Sequence, residues 1–389
     1  MEKRRREARW LRGVPAFGLL LALMVALASA AEEAINWERA QELLRKSDQG
    51  QKLTAEEQDY LTRARVERQR LMTNTEPARE RTGLVPLTEM GEAKHKEEDG
   101  GLYGGGRNEP PAEHEKAALA EAAAVVPRNA RGEASPDGKI ALVSIGMSNT
   151  SQEFSAFQEL ADADPAKSPQ VVIVNGAQGG RDAPAWLREE QAAAAGQPSP
   201  WTVLDERLRA AGVTAAQVQV VWVKQALAGP ASLGEFPAHA RRLEEDMARI
   251  LQIARKRFPN LRLAYVSSRI YAGHATTGLN PEPYAYESAF AVRWLIADQI
   301  KGDPKLNWSA DRGEVAAPLM LWGPYLWADG LNARKAGGLV WKREDLGEDG
   351  THPSESGRRK VAEMLATFFK TEPSARAWFL KHDEAAPQG

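Results

Sequence analysis

The chain contains no cysteine. That excludes a disulfide scaffold and a cysteine-anchored lipoprotein, so stability must come from an ordinary hydrophobic core. Histidine is scarce too, at six residues, which lets each candidate base be weighed singly. Neither sign of charge dominates: 51 basic residues face 53 acidic ones, for a net charge of −2. Nothing in that balance predicts a nucleic acid as partner.

One apolar stretch, Val14 to Ala31, follows a basic segment (Lys3 to Arg12) and ends in Ala28-Ser29-Ala30. Basic region, apolar core and small residues at the cut predict a secretory signal peptide over residues 1–30, hence a protein exported to the periplasm or the medium. The alternative is an uncleaved anchor, since the stretch is just long enough to span a bilayer. Beyond this leader no membrane contact is expected.

Residues 33–72 read as a helical hairpin. Leu43, Leu44, Leu53, Tyr60 and Leu61 recur at helical spacing, Asp48-Gln49-Gly50 interrupts them, and Thr54 and Glu57 stand at capping-box distance. A spacer or packing pad suits it better than a functional module. Residues 73–137 are rich in glycine, proline and charge, including Gly100-Gly101-Leu102-Tyr103-Gly104-Gly105-Gly106. No strand precedes that run and no Gly-Lys-Ser/Thr follows, so a phosphate cradle is rejected for a connecting segment with one Ala-rich helix, His114 to Ala124. Tyr103 and Asn108 could reach a cleft from it.

From residue 138 to 383, apolar runs alternate with amphipathic helices. The runs are Ile140 to Ile145, Val171 to Val174, Val218 to Val223, Leu261 to Val266 and Pro318 to Trp322. The helices are Gln152 to Ala161, Val203 to Ala211, Pro237 to Phe258, Tyr286 to Ile300 and Ser354 to Phe369. Strands apolar on both faces belong to a parallel sheet covered on both sides. The expected fold is therefore α/β, a three-layer α/β/α sandwich with about five parallel strands.

In such sheets ligands bind beyond the carboxyl ends of the strands. The first run delivers Ser148 there, readable as a nucleophile or as a helix cap. Far downstream, Asp349-Gly350-Thr351-His352-Pro353-Ser354 offers an acid and an imidazole three apart, with Pro353 suited to a helical first turn. Among the histidines His352 alone has a carboxylate at fixed short spacing, although His274 lies in a loop that could approach the cleft. The segment reads equally as a Ser/His/Asp element or as a capped helix start. The other strand ends supply Asn175-Gly176, Lys224-Gln225, Ser268-Arg269-Ile270-Tyr271 and Gly323-Pro324.

These blocks together resemble the SGNH, or GDSL-like, hydrolase superfamily over about residues 138–371. Gly146-Met147-Ser148-Asn149 matches its Gly-x-Ser block, with methionine in place of the usual aspartate. Gly176 falls on its oxyanion-hole glycine, and Asp349-Gly350-Thr351-His352 on its Asp-x-x-His block. Where members carry Gly-x-Asn-Asp, this chain has Val223-Lys224-Gln225-Ala226. More narrowly the chain looks like a group of exported bacterial proteins of planctomycete type, with no settled substrate.

The resemblance implies a serine esterase, with Ser148 as nucleophile, His352 as base and Asp349 as its orienter. Oxyanion donors would be the Ser148 and Gly176 amides with Gln225, whose side chain carries the donor of asparagine on a longer arm. Asn149, Lys224, Arg269 and Tyr271 are expected to contact substrate. The expected partner is a small-molecule or polysaccharide ester, an O-acetylated carbohydrate first. No cofactor is expected, and no close ligand spacing supports a metal site built on Asp349, His352 and His274. The competing reading is a weak or inactive protein of the same fold that binds carbohydrate or another ligand, favoured by Lys224 in the altered block.

Overall fold

The structure, a computed structural model, describes residues 35, 39–40, 43, 46–47, 51–71, 77–188 and 198–381. The expected signal peptide, and the chain after 381 with His382, lie outside the described residues. The chain divides into two compact units, residues 1–67 and 68–389.

Helix α1 (Ala55–Leu71), which begins in the first unit and runs past its end at residue 67, opens on the capping box its sequence spells. The Thr54 N–H donates to Glu57 Oε2 at 2.9 Å, and the Glu57 N–H to Thr54 Oγ1 at 3.2 Å. Two N–H groups that a helix start leaves without partners are thereby satisfied. Tyr60, Leu61 and Ala64 then bury against Ala40, Leu43 and Leu53. Arg39 covers the Tyr60 ring at 4.3 Å.

The second unit is built on five parallel strands: β1 (Ile140–Gly146), β2 (Val171–Val174), β3 (Val218–Lys224), β4 (Leu263–Val266) and β5 (Leu319–Trp322). Their order is β2-β1-β3-β4-β5. All seven residues of β1 and all seven of β3 are buried, as a sheet covered on both faces requires. Described helices around it include α3 (Ser148–Asp162), α5 (Pro200–Ala210), α6 (Ala238–Arg257), α7 (Tyr284–Lys301), α8 (Glu355–Thr371) and the short α9 (Pro373–Phe379). Helix α3 packs on α8, and α6 on α7. Phe154 of α3 stacks on Trp222 of β3 at 5.5 Å, and Phe157 on Phe369 of α8 at 5.3 Å. Truncating a ring buried this way costs about 3–5 kcal/mol.

Strand order reverses between β1 and β3, so the crevice that opens at their carboxyl ends is where such folds place a ligand. Pairing brings Gly146 opposite Lys224 at that edge. Some details differ from sequence expectation. Helix α3 begins at Ser148 instead of Gln152, and a short helix α4 (Ala183–Trp186) follows β2.

The segment expected to wrap the surface is partly core. Helix α2 (Ala112–Ala123) buries His114, Ala118 and Ala122, and small alanines let it approach β4 and β5 closely. Its His114 bonds the Met320 carbonyl at 2.8 Å, and Trp322 Nε1–H donates to Leu102 O at 2.7 Å. Among the described residues no helix is long and apolar enough to cross a membrane.

Candidate active site

Gly146 ends β1 because nothing larger fits. A Cβ there would sit 2.4 Å from both the Lys224 carbonyl oxygen and Thr150 Oγ1. Thr150 in turn donates to that carbonyl at 2.6 Å, clamping the first turn of α3 onto β3. Met147 stays extended as the N-cap of α3 and makes no side-chain capping bond. Ser148 is therefore the first residue inside the helix, and the capping reading of its hydroxyl falls. Its Oγ lies 2.7 Å from His352 Nε2.

The Asp349 loop is built to hold that imidazole. Asp349 Oδ2 faces His352 Nδ1 at 2.5 Å, while Oδ1 accepts the Thr351 and His352 backbone N–H groups, each at 3.0 Å. Burial works to raise the Asp349 carboxyl, but the bonds from His352 and Thr351 prevail and hold it below the ordinary carboxylate range. Gly350 turns the loop at φ +63°, and a Cβ would meet the His274 carbonyl oxygen at 1.8 Å. Thr276 N–H donates to Asp349 O at 2.9 Å. Helix α8 starts only at Glu355, with Ser354 as its cap. Pro353 thus precedes the helix and instead bridges to Leu346, so its expected first-turn role is corrected. The segment serves both expected roles, with cap and imidazole holder on different residues.

Ser148 and His352 open on a cavity of about 400 Å³ that Asn149 and Arg269 also line. Asn149 Nδ2 donates to Thr351 O at 2.9 Å, tying the nucleophile's helix to the histidine loop. Arg269 is 1% exposed, with Nε donating to Asn280 Oδ1 at 3.2 Å. The lining also includes Arg181, Asp182 and Arg188, none of them expected from sequence. The signal available for Arg181 and Asp182 was position alone, directly after Gly179-Gly180 at the binding edge.

Other expected contacts do not reach this cavity. The Gly176 N–H donates to Ser144 Oγ at 3.1 Å, and Ala177 N–H to the same oxygen at 3.2 Å. A hydroxyl on β1 thus captures the loop amide expected in the oxyanion hole. Gln225 is 1% exposed and lies off the cavity wall, and among the described residues neither atom of its amide has a hydrogen-bond partner. Lys224 is fully buried and ion-paired with Glu153 of α3, so it puts no cation into the cleft. Burial pulls its ammonium down to about 8 against the attraction of Glu153. Tyr271 is buried and donates its hydroxyl to Arg79 O at 2.7 Å. Asn108 is bonded to Thr88 O at 2.9 Å, and neither it nor Tyr103 lines the cavity.

No family model and no curated protein matches the chain. Among solved structures it is similar to a gut microbial diltiazem-metabolizing enzyme, at 14% identity and a TM-score of 0.29. That loose alignment covers 61% of this chain and 48% of the other, so this chain spans about half of that protein's length.

Proposed function

We propose that the protein is a serine-dependent ester hydrolase of SGNH type, acting outside the cytoplasm on an ester such as an O-acetylated carbohydrate. One observation carries the reading: an unbroken chain from Ser148 Oγ through His352 to Asp349, at 2.7 and 2.5 Å. In this reading Ser148 Oγ attacks the ester carbonyl while His352 Nε2 takes its proton. Asp349 holds Nδ1–H, fixes the tautomer and stabilises the imidazolium. The Ser148 N–H, at the N-terminus of α3, faces the developing oxyanion, where unpaired N–H groups and the helix dipole favour negative charge. Collapse returns the proton from His352 to the departing alcohol. Water then attacks the acyl carbon as His352 takes its proton; the Ser148 Oγ–acyl bond breaks, the acid leaves, and His352 returns the proton to Oγ.

A second reading, a ligand-binding protein with little turnover, is favoured by the oxyanion side. Of the three expected donors, the Gly176 amide is engaged by Ser144 and Gln225 lies off the wall. Losing one such donor costs roughly 3–4 kcal/mol of transition-state stabilisation. The deciding experiment treats the purified protein, beside Ser148→Ala and His352→Ala, with a fluorophosphonate probe and an acetyl ester. Labelling and turnover in wild type, lost in both variants, support the hydrolase. Absence of both in wild type overturns it.

A further inference from the structure

Arg269 brings a full positive charge to the cavity wall, with no counter-ion paired to it among the described residues. Its Nε is engaged by Asn280, and Nη2 reaches Thr351 O at 3.5 Å. Among the described residues no carboxylate forms an ion pair with it, and no hydrogen bond engages Nη1. The carboxylates that act on it from a distance are occupied. Glu153 pairs with Lys224, and Asp349 with His352. Glu282 accepts N–H bonds from Ala272, Tyr286 and Trp327.

A guanidinium cannot shed its proton to escape burial as a lysine can. Buried charges are normally paired, because the hydration they lose must be replaced. Lys224 meets that requirement inside the protein, whereas Arg269 does not. The Thr351 carbonyl that receives Arg269 also receives Asn149, and His352 is the next residue, so the unmatched charge sits beside the reacting hydroxyl. At the same cavity, Arg181 and Arg188 add two cations against Asp182, whose Oδ2 takes the Ala228 N–H. A cleft with this excess draws anions toward it.

We propose that the cavity takes an ester that also carries an oxyanion group, a carboxylate or sulfate, seated on Arg269 while its ester carbonyl meets Ser148. This rests on the hydrolase reading and narrows it, placing acidic carbohydrate esters ahead of neutral ones. Asn280 is a positioning residue, since its Oδ1 fixes the guanidinium plane through Nε.

The test compares matched pairs on enzyme labelled in parallel by fluorophosphonate. 3-Acetoxybenzoate and 3-acetoxybenzenesulfonate are set against phenyl acetate, and p-nitrophenyl hemisuccinate against p-nitrophenyl butyrate. Wild type should favour the anionic member of at least one pair in kcat/KM by about tenfold or more, as a charge-assisted bond implies. The preference should shrink with added salt. It should collapse in Arg269→Gln and persist in part in Arg269→Lys. The two anionic acetates distinguish a carboxylate from a sulfonate, which stands in for sulfate.

Failure of the hydrolase reading is seen separately, as absence of labelling. The anion site is then read by calorimetric titration of 3-acetoxybenzoate into Ser148→Ala, with at least about tenfold weaker binding expected in the Ser148→Ala/Arg269→Gln double variant. A labelled wild type with no anionic preference in any pair overturns the proposal, even if Arg269→Gln fails to fold. Equal losses on neutral and anionic esters in both Arg269 variants overturn it as well.

Discussion

Asn149 Nδ2 donates to Thr351 O at 2.9 Å, joining the helix that carries the nucleophile to the loop that carries the base. The bond spans most of the second unit in sequence and fixes the two reacting side chains in one frame. Asn149→Ala should lower kcat on an acetyl ester by about ten- to a hundredfold, with a smaller change in KM, because misplacement by a fraction of an ångström is costly in a reacting pair. Stability should fall by only about 1 kcal/mol, the net worth of one hydrogen bond. Steady-state kinetics beside urea unfolding checks both. An unfolding loss without a kcat effect refutes the alignment role.

Asp349→Asn keeps the side-chain shape but removes the charge that fixes the His352 tautomer. It should cut kcat by about 10³–10⁴-fold while leaving some fluorophosphonate labelling. Activity near wild type in this variant would show that Asp349 serves only its loop.

The Lys224–Glu153 pair should behave as a buried structural pair. Lys224→Met leaves Glu153 buried without its cation, at a cost of about 3–5 kcal/mol. The double variant Lys224→Met/Glu153→Leu, which removes both charges, should recover much of that loss in urea midpoints. A double variant as unstable as the single one would contradict this.

Burial pushes the Glu282 carboxyl up to about 7, outweighing N–H donors from Trp327, Ala272 and Tyr286 and the nearby Arg269 charge. The folded state therefore holds this proton more tightly than the unfolded chain, whose glutamate titrates at about 4.3. Between those values the folded state binds more protons, so the Glu282 contribution to stability falls as pH rises through that window. Melting temperatures from pH 5 to 7 should decline less steeply in Glu282→Gln than in wild type. Parallel curves would place the titration elsewhere.

Local signals in the sequence were strong where a short segment answers to its own neighbours. The apolar runs around Leu142 and Val221 dictate a buried parallel strand because each residue faces a covered side. Thr54 and Glu57 cap one another across a single turn. Asp349 and His352 meet because the Gly350 turn closes three residues into a ring of hydrogen bonds, a geometry nearly independent of the rest of the chain. Lone residues at strand ends were less legible. Lys224 and Tyr271 lie at the expected edge, but which way each side chain turns depends on a partner elsewhere in the sequence.

The sequence by itself determined the alternation that makes an α/β sandwich and the two short blocks that bear the serine and the acid–histidine pair, since periodicity and close spacing are local properties. Only the tertiary structure decided that Ser148 meets His352 and is not a helix cap. It also decided that Ser144 takes the Gly176 amide, that Glu153 takes Lys224, and that Arg269 finds no counter-ion among the described residues at the cavity wall. Those outcomes turn on burial and on pairing between distant segments, where a charge must find a partner or remain unmatched, and no local pattern encodes which partner is within reach.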